Sequence, residues 1–361
     1  MQSLLIYLRQ HRTLTISVAS ALVLVIVGVI GFVVFRADDE TFTQTTTTKK
    51  ETNKQIQRRL DGVLVPAENA NTYPIALMIE NITASRPQSG LEKARVVYEA
   101  LAEGGITRFV ALFDTTEAIP EIGPVRSARP YFVALAGEYS ALYGHVGGSP
   151  QAIAEIRNGT KGVIDLDQFF NSAYYWRSTD RFAPHNVYTS ADLLTFALRD
   201  EGLLDASGEF SPWDFSEDEA KESARGVDAQ EITINYSTFS YQTRYVYDRA
   251  SNTYKRFHAE DPHVMANNTQ IAPKNVIVQF AETSVIDEGR LAMNMDDGGE
   301  AIVFNNGMVT KGTWEKEDGR TRFLDVDGDE VALLPGQTWV EIVPTDREVD
   351  YPQETIATEG V

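Results

Sequence analysis

Two arginines just before a predicted helix are the residues of this sequence best suited to bind an anion. Arg126 and Arg129 lie in the run GPVRSARP, and apolar side chains at helical spacing occupy residues 128–139. Guanidinium groups and the free N–H groups at a helix start both favour phosphate or carboxylate. The alternative is that both arginines pair with acids of the chain, Glu99 or Glu103 for example. The pattern therefore predicts either an anion site or structural ion pairs.

A glycine turn follows in the run HVGGSPQ, which begins at His145. The order strand, turn and helix start is that of a nucleophile elbow, but Gln151 stands where that motif has its last glycine. Ser149 followed by Pro150 is typical of a helix N-cap. We therefore interpret Ser149 as a cap and the glycines as backbone that a ligand can approach closely.

Asp165 and Asp167 are two positions apart in a predicted strand, so both side chains project from one face. Adjacent carboxylates need a cation, which would be Arg177, Arg181 or a divalent metal held together with two histidines. The histidines of the chain do not have the spacing of a known metal motif. We predict neither a metal site nor a cofactor.

The loop over residues 176–188 mixes arginine, aromatic, histidine and asparagine side chains. This composition suits a glycan or another polar ligand, with Arg177 and Asn186 as binding residues and His185 as a proton-transfer group. The alternative is a rigid loop that is packed by its own aromatic side chains.

Alternating strand and helix patterns position these residues between 60 and 202. Apolar runs of strand length occur at 75–81, 94–100, 107–114, 140–146 and 162–169. Helical spacing occurs at 128–139, 149–158 and 190–202. Strands that alternate with helices predict a layered α/β domain with a largely buried sheet.

The second half of the body changes in pattern. Residues 203–230 are acidic and predict a linker, and residues 231–345 are alternating strands separated by turn signals such as Asn306–Gly307. This predicts an antiparallel all-β domain, either a sandwich or a barrel, followed by a tail at 346–361. The fold class expected for the whole chain is α+β.

A membrane anchor precedes the body. Residues 14–35 carry no charge, and a helix of that length spans about 33 Å, enough for a hydrocarbon core of about 30 Å. The run is longer than the apolar region of a signal peptide and no cleavage motif follows it, so it predicts an uncleaved signal anchor. Arg9 and Arg12 place residues 1–13 in the cytoplasm and the body outside the cell membrane. Residues 37–59 form a polar tether.

Composition excludes several classes of function. The 361-residue chain has 32 Lys and Arg against 52 Asp and Glu, a net charge of −20. Such a surface repels nucleic-acid phosphates, so we expect no nucleic-acid partner. The chain has no cysteine, which excludes disulfides, thiolate metal sites and an acylated lipoprotein cysteine.

Six motifs in order resemble the N-terminal domain of the YerB-like lipoproteins, a bacterial family of unknown function. They are RPQSGL from Arg86, VYEA from Val97, EGGITRF from Glu103, GPVRSARP from Gly123, HVGGS from His145 and APHN from Ala183. The second domain resembles the C-terminal domain of that family through NVIV (275–278), GTW (312–314) and PGQTW (335–339). The resemblance covers about 60–345 and implies an exported, membrane-tethered protein, but no activity, substrate or cofactor.

Three functions remain open, and we rank ligand binding first, a scaffold for a protein partner second and an enzyme third. The ligand would be an anionic cell-envelope glycan bearing phosphate or carboxylate. Its binding residues would be Arg86, Arg108, Arg126, Arg129, His145, Arg177 and Asn186. An envelope hydrolase or transferase would use Glu99, Glu103 or Asp165 as acid or base and His185 to move protons.

Overall fold

The computed structural model describes residues 54–217, 219–228, 230–287 and 289–351. The predicted cytoplasmic tail, the signal anchor at 14–35 and most of the polar tether lie outside these residues. Among the residues described, no helix is both long and apolar enough to cross a membrane.

The described chain consists mostly of strands, with three α-helices. The helices are α1 Pro130–Gly137, α2 Pro150–Arg157 and α3 Ala191–Asp200. Single 3₁₀ turns occur at Ala67–Asn69, Thr83–Ser85, Leu91–Lys93, Glu103–Gly105, Ser172–Tyr174, Glu222–Ala224 and Phe239–Tyr241. The strands are β1 Gln55–Gln57, β2 Leu64–Pro66, β3 Ile75–Glu80, β4 Val96–Leu101, β5 Thr107–Phe113, β6 Leu142–His145, β7 Ile164–Asp167, β8 Trp176–Arg177, β9 Val187–Tyr188, β10 Glu231–Asn235, β11 Gln242–Asp248, β12 Thr253–His258, β13 Asp261–Pro262, β14 Asn275–Ala281, β15 Thr283–Asp287, β16 Arg290–Met293, β17 Gly299–Asn305, β18 Met308–Glu317, β19 Arg320–Asp325, β20 Thr338–Pro344 and β21 Val349–Asp350. The α+β fold class is confirmed.

One sheet of ten strands takes strands from both halves of the chain, in the order β19-β18-β17-β14-β20-β4-β5-β3-β6-β7. β20 is parallel to both β14 and β4, and the pairing with β4 places Glu341 beside Glu99. The second half was expected to be antiparallel throughout, and β14 with β20 is the exception. Both strands are buried almost completely, as is typical of parallel strands inside a sheet.

A second sheet of five antiparallel strands has the order β13-β12-β11-β10-β21. Burial alternates along β11, so one face of this sheet is covered and the other meets water. Ile232 and Tyr245 on the covered face share a core with Val97 and Phe109 of the ten-stranded sheet. The five-stranded sheet therefore packs on the larger one.

The ten-stranded sheet has a hydrophobic core on each side. In β3, Ile75 and Leu77 join the core that contains the five-stranded sheet and α3, whereas Met78 joins the core that contains α1 and α2. We name these sides the small-sheet face and the helix face. Because side chains alternate along a strand, Glu80 at the end of β3 lies on the helix face and Glu99 in β4 on the small-sheet face.

Local sequence signals place the helix starts. Ser149 Oγ accepts a hydrogen bond from Ala152 N at the start of α2, and Ser190 Oγ accepts one from Leu193 N at the start of α3. Pro150 occupies the first helical position, where its missing N–H costs no hydrogen bond. The cap predicted at Ser149 is confirmed, and Ser190 caps α3 in the same way.

The segment 203–230, predicted as an acidic linker, carries two buried aromatic side chains. Phe210 packs against Tyr139 with ring centroids 5.3 Å apart. The Trp213 indole donates a hydrogen bond to Thr321 O at 2.8 Å. The segment therefore contacts both the end of α1 and strand β19.

Candidate functional site

A groove of about 500 Å³ opens on the helix face, beside the starts of α1 and α2. The residues before α1, the glycine turn before α2, the end of α2 and strand β8 contribute to its walls. Arg126, Arg157 and Arg177 line it, and we name it the arginine groove. Three arginines at one groove are a local concentration of positive charge in a chain of net charge −20.

Glu80 connects Arg126 to the loop that carries His185. Arg126 Nε lies 2.9 Å from Glu80 Oε1, and His185 Nδ1 lies 2.7 Å from Glu80 Oε2. The Glu80 side chain is only 4% exposed, so this carboxylate is buried between its two partners. Sequence reasoning missed Glu80, whose signal is an acid at the end of the apolar strand IALMIE.

Arg129, the other arginine before α1, is paired with Glu103. Its Nη2 donates to Glu103 Oε2 at 2.7 Å and its Nε donates to Oε1. Burial favours the neutral carboxyl, but the hydrogen bond and charge of Arg129 lower the pKa of Glu103 overall. Arg108 Nη2 lies 3.6 Å from the same carboxylate, and burial with the charge of Arg129 lowers the pKa of Arg108 to about 10. Arg126 and Arg129 therefore both contact an acid, as the ion-pair alternative expects, and Arg108 shares the acid of Arg129.

Arg177 and Arg157 differ, because neither has a carboxylate within 4.0 Å among the described residues. Arg177 Nη1 donates to Asn186 Oδ1 at 3.0 Å and Nη2 to Gln168 Oε1 at 3.2 Å, both neutral amides. The Arg157 guanidinium lies over the Phe170 ring, 5.4 Å from its centroid. Neither guanidinium group therefore has a direct carboxylate contact within the described residues.

The glycine turn forms the floor beside these arginines. His145 Nδ1 lies 2.9 Å from Gly147 O, and His145 Nε2 lies 3.0 Å from Asp165 Oδ1. Asp167 Oδ1 accepts hydrogen bonds from the N–H groups of Gly147 and Phe169. Gly147 has φ +58°, and a Cβ there would meet the Phe169 ring at 3.0 Å. The two aspartates thus hold the turn in place, and their partners are His145 and backbone N–H groups.

Glu99 and Arg86 lie on the small-sheet face, away from the arginine groove. Glu99 Oε2 accepts a hydrogen bond from Arg256 Nη2, and Glu341 Oε1 lies 4.0 Å from Arg256 Nε. All three of these charged residues are 0% exposed. Arg86 Nε donates to Asn81 Oδ1 at 3.1 Å, and Asn81 Nδ2 donates to Glu99. Sequence reasoning did not single out Arg256 or Glu341.

The carboxyls of Asp165 and Glu103 on the helix face are poorly suited to general acid catalysis. Burial alone would raise the pKa of Asp165, but its hydrogen bond and charge interaction with His145 lower the pKa overall. Together with the lowered pKa of Glu103, this keeps both carboxyls ionised at neutral pH, which is unfavourable for a general acid. No group of three His, Asp or Glu side chains in the described ranges is placed to hold a metal ion.

Comparison with known proteins identifies the family. Residues 60–204 match the family described as "Protein of unknown function (DUF3048) N-terminal domain", and residues 232–340 match its C-terminal domain. The chain is 32% identical over 302 residues to "Putative lipoprotein YerB" of Bacillus subtilis (strain 168), covering 81% of this chain and 88% of that protein. The crystal structure of YerB protein from Bacillus subtilis aligns with a TM-score of 0.72 at 29% identity, covering 82% of this chain and 99% of that one. The resemblance carried by the sequence motifs is confirmed, and this chain belongs to the YerB-like (DUF3048) family.

Proposed function

We propose that this protein is a bacterial cell-envelope protein that binds an anionic glycan in the arginine groove. Residues 14–35 would anchor it in the membrane, with the body outside the cell. The name of the Bacillus subtilis relative, a lipoprotein, supports a membrane-tethered role. In a sequence without cysteine, the apolar segment supplies the anchor that an acylated cysteine supplies in a lipoprotein.

The charge of Arg157 and Arg177 is the observation that carries the proposal. Within the described chain neither has a carboxylate partner, although acids outnumber basic residues by 52 to 32. Asp167, the carboxylate that lines the groove, already accepts two backbone N–H groups. A phosphate or carboxylate entering the groove would form charge-assisted hydrogen bonds with both guanidinium groups.

Exposed aromatic side chains at the groove favour a sugar over a small inorganic anion. Phe169 and Phe170 line it and are 64% and 73% exposed. Flat aromatic faces beside convergent polar groups are a common way to hold a ligand that has both apolar and polar surfaces. An acidic glycan presents both kinds of surface.

The test measures the affinity of the full-length protein in detergent for two acidic probes, a glycerol phosphate oligomer and trigalacturonic acid. Neutral chitotriose serves as the uncharged probe. The double variant Arg157→Ala/Arg177→Ala is expected to bind the acidic probes at least about tenfold more weakly, since tenfold is about 1.4 kcal/mol and two charge-assisted hydrogen bonds exceed that. Isothermal titration calorimetry gives the dissociation constants.

Arg199→Ala is the matched control. Arg199 lies in the last turn of α3 over the Phe196 ring, 5.2 Å from its centroid, as Arg157 lies over Phe170 at the end of α2. Arg199→Ala should leave the affinity unchanged. Equal binding by the double variant and the control, or equal affinity for the neutral probe, would refute the proposal.

The anchor has its own test. Deleting residues 1–36 removes the apolar run and should move the protein from the membrane fraction to the soluble fraction of the expressing cells. Fractionation followed by immunoblotting measures the shift. Continued sedimentation of the shortened protein with membranes would contradict anchoring by residues 14–35.

A further inference from the structure

A second cavity lies at the edge of the small-sheet face, on the opposite side of the ten-stranded sheet from the arginine groove. It measures about 380 Å³. Arg86, His258 and His263 line it, and Pro87, Pro262 and Val264 supply apolar walls. We name it the histidine cavity. The cavity thus combines apolar walls with buried hydrogen-bonding groups.

Beneath the histidine cavity lies a buried polar network centred on Arg256. Arg256 Nη1 donates to His263 Nδ1 at 2.6 Å and lies 3.4 Å from His258 Nδ1, while Nη2 donates to Glu99 Oε2. Gln88 Oε1 lies 3.3 Å from His263 Nε2. The charge of Arg256 is therefore balanced inside the protein by the Glu99 carboxylate, and the His263 ring has partners on both nitrogens.

The proton positions on the two histidines follow from this network. A guanidinium has only donors, so the His258 and His263 Nδ1 atoms that face Arg256 must act as acceptors. Each ring is then neutral with its proton on Nε2. Burial and the charge of Arg256 lower the pKa of both histidines well below the usual value, and for His258 the neighbouring His263 adds to the shift. His258 therefore presents an Nε2–H donor.

Two buried donors at the cavity have no hydrogen-bond partner within the part of the chain that the structure describes. They are His258 Nε2 and Arg86 Nη2. His258 lines the cavity but is only 8% exposed, so its ring lies almost wholly inside the protein. A buried donor without an acceptor costs roughly 1–3 kcal/mol. Two such donors lining one cavity indicate that an acceptor group binds between them.

Among the described residues that line the cavity, Arg86 is the basic side chain and Asp261 the acidic one. Arg86 has no carboxylate within 4.0 Å among the described residues, and its guanidinium lies over the Tyr241 ring, 5.4 Å from the centroid. Burial and the charge of Arg256 lower the pKa of Arg86 to about 10, which leaves it charged at neutral pH. The Asp261 carboxylate repels any anion in the cavity, and this repulsion is about twice as large for a doubly charged phosphate as for a singly charged carboxylate.

We propose that the histidine cavity is a second ligand site, which binds a monocarboxylate with an apolar body. The carboxylate accepts hydrogen bonds from Arg86 Nη2 and His258 Nε2, and the apolar body lies against Pro87, Pro262 and Val264. Both a free acyl amino acid and the C-terminal residue of a peptide have this chemistry. The site is independent of the glycan proposed for the arginine groove.

Isothermal titration calorimetry on the full-length protein in detergent tests first whether binding requires the carboxylate of the ligand. N-acetyl-L-leucine is expected to bind, and its amide, N-acetyl-L-leucinamide, is expected to bind at least tenfold more weakly because it lacks the negative charge. A pentapeptide ending in leucine, with a free or an amidated C-terminus, distinguishes the two sources. Tighter binding of the free-ended peptide than of N-acetyl-L-leucine identifies a peptide end, and the reverse identifies a free acid.

Three variants test whether residues of the histidine cavity bind the carboxylate and its apolar body. Arg86→Gln removes the charge, and His258→Phe removes the donor but keeps a ring beside His263, whose centroid is 4.1 Å away. Each should weaken N-acetyl-L-leucine binding at least tenfold. Val264→Trp fills the cavity from its rim, where Val264 is 39% exposed, so it should block binding without disturbing the buried network.

Arg177→Gln is the control, because it lies in the arginine groove and should leave N-acetyl-L-leucine binding unchanged. Conversely, Arg86→Gln should bind the acidic glycan probes as the native protein does. A failure of the proposal for the histidine cavity can therefore be told apart from a failure of the proposal for the arginine groove. The proposal is overturned if the acid and amide bind alike, if Val264→Trp binds like the native protein, or if no carboxylate probe binds at millimolar concentration.

Discussion

Glu99→Gln/Glu341→Gln is expected to lower the free energy of unfolding by about 3–5 kcal/mol, because it leaves Arg256 buried without a counter-ion. Arg256 is 0% exposed, and these two glutamates are its carboxylate neighbours within 4.0 Å in the described chain. Urea denaturation measures the loss. The Arg256 guanidinium would keep its contacts with Tyr245, Thr243 and the histidines, but these groups carry no negative charge.

The losses in the free energy of unfolding of the single variants Glu99→Gln and Glu341→Gln should together be smaller than the loss in the double variant. Burial and the neighbouring Glu99 raise the pKa of Glu341 well above its usual value, which favours the neutral carboxyl in the folded protein. Glutamine resembles that neutral form, so Glu341→Gln should change the free energy of unfolding by less than about 1 kcal/mol at pH 5. In Glu99→Gln, Glu341 can ionise and take over as counter-ion. Additive losses would contradict this shared role.

The pH dependence gives an independent check on Glu341. A raised pKa in the folded state means that its contribution to stability is complete below the unfolded value of about 4.3 and is lost as the pH rises towards the folded value. One such group changes the free energy of unfolding by up to about 1.4 kcal/mol per pH unit in that window. Native protein should therefore lose more stability than Glu341→Gln between pH 5 and pH 8. Parallel profiles would show that Glu341 is ionised in the folded protein.

Local signals in the sequence were sufficient for the three helices and for strands β3–β7, but not for the short strands β1, β2, β8 and β9. Helical spacing at 128–139, 149–158 and 190–202 corresponds to α1, α2 and α3, and the apolar runs correspond to β3–β7. These elements form from neighbouring residues, through caps, apolar spacing and strand length. The same signals located the arginine-bearing start of α1 and the glycine turn, which lie together in the structure.

Pairing between distant segments could not be read from the sequence. β20 and β4 lie side by side although Thr338 and Val96 are far apart in the chain, and periodicity does not say which strands are neighbours. For the same reason, the partners of Glu99 remained unknown. The sequence signal that was missed is a charged residue at a buried strand position. It occurs at Arg256 in the alternating strand TYKRFH and at Glu341 inside the apolar strand TWVEIVP. Only the packing of the two sheets shows that they meet.

A second buried ion pair, between Glu138 and Arg320, also joins residues that are far apart in the sequence, and it is the basis of the second large expected effect. Glu138, the C-cap residue of α1, accepts hydrogen bonds from Arg320 Nη1 at 2.9 Å, Thr321 N at 3.1 Å and Lys316 Nζ. Arg320 also donates to Tyr139 Oη at 2.8 Å and is 2% exposed. This carboxylate therefore joins α1 to strands β18 and β19.

Glu138→Gln should lower the free energy of unfolding at pH 7 by about 3–5 kcal/mol, because Arg320 stays buried without its carboxylate. Glu201→Gln is the matched control, since Glu201 is the C-cap residue of α3 and is exposed, and its loss should be within about 0.5 kcal/mol. Burial favours the neutral form of Glu138, but the charges of Arg320 and Lys316 lower its pKa overall.

The lowered pKa of Glu138 determines how the stability difference between the native protein and Glu138→Gln changes with pH. A lowered pKa means that the stability from Glu138 is present above the unfolded value of about 4.3 and is lost as the pH falls through the folded value. Glu138→Gln has no carboxylate to protonate, so its deficit relative to the native protein should shrink as the pH falls below about 4. Urea midpoints of both proteins at pH 7 and pH 3.5 measure this convergence. A deficit that stays constant would mean that Glu138 acts through its hydrogen bonds and shape, and that its charge contributes nothing to holding α1 against β18 and β19.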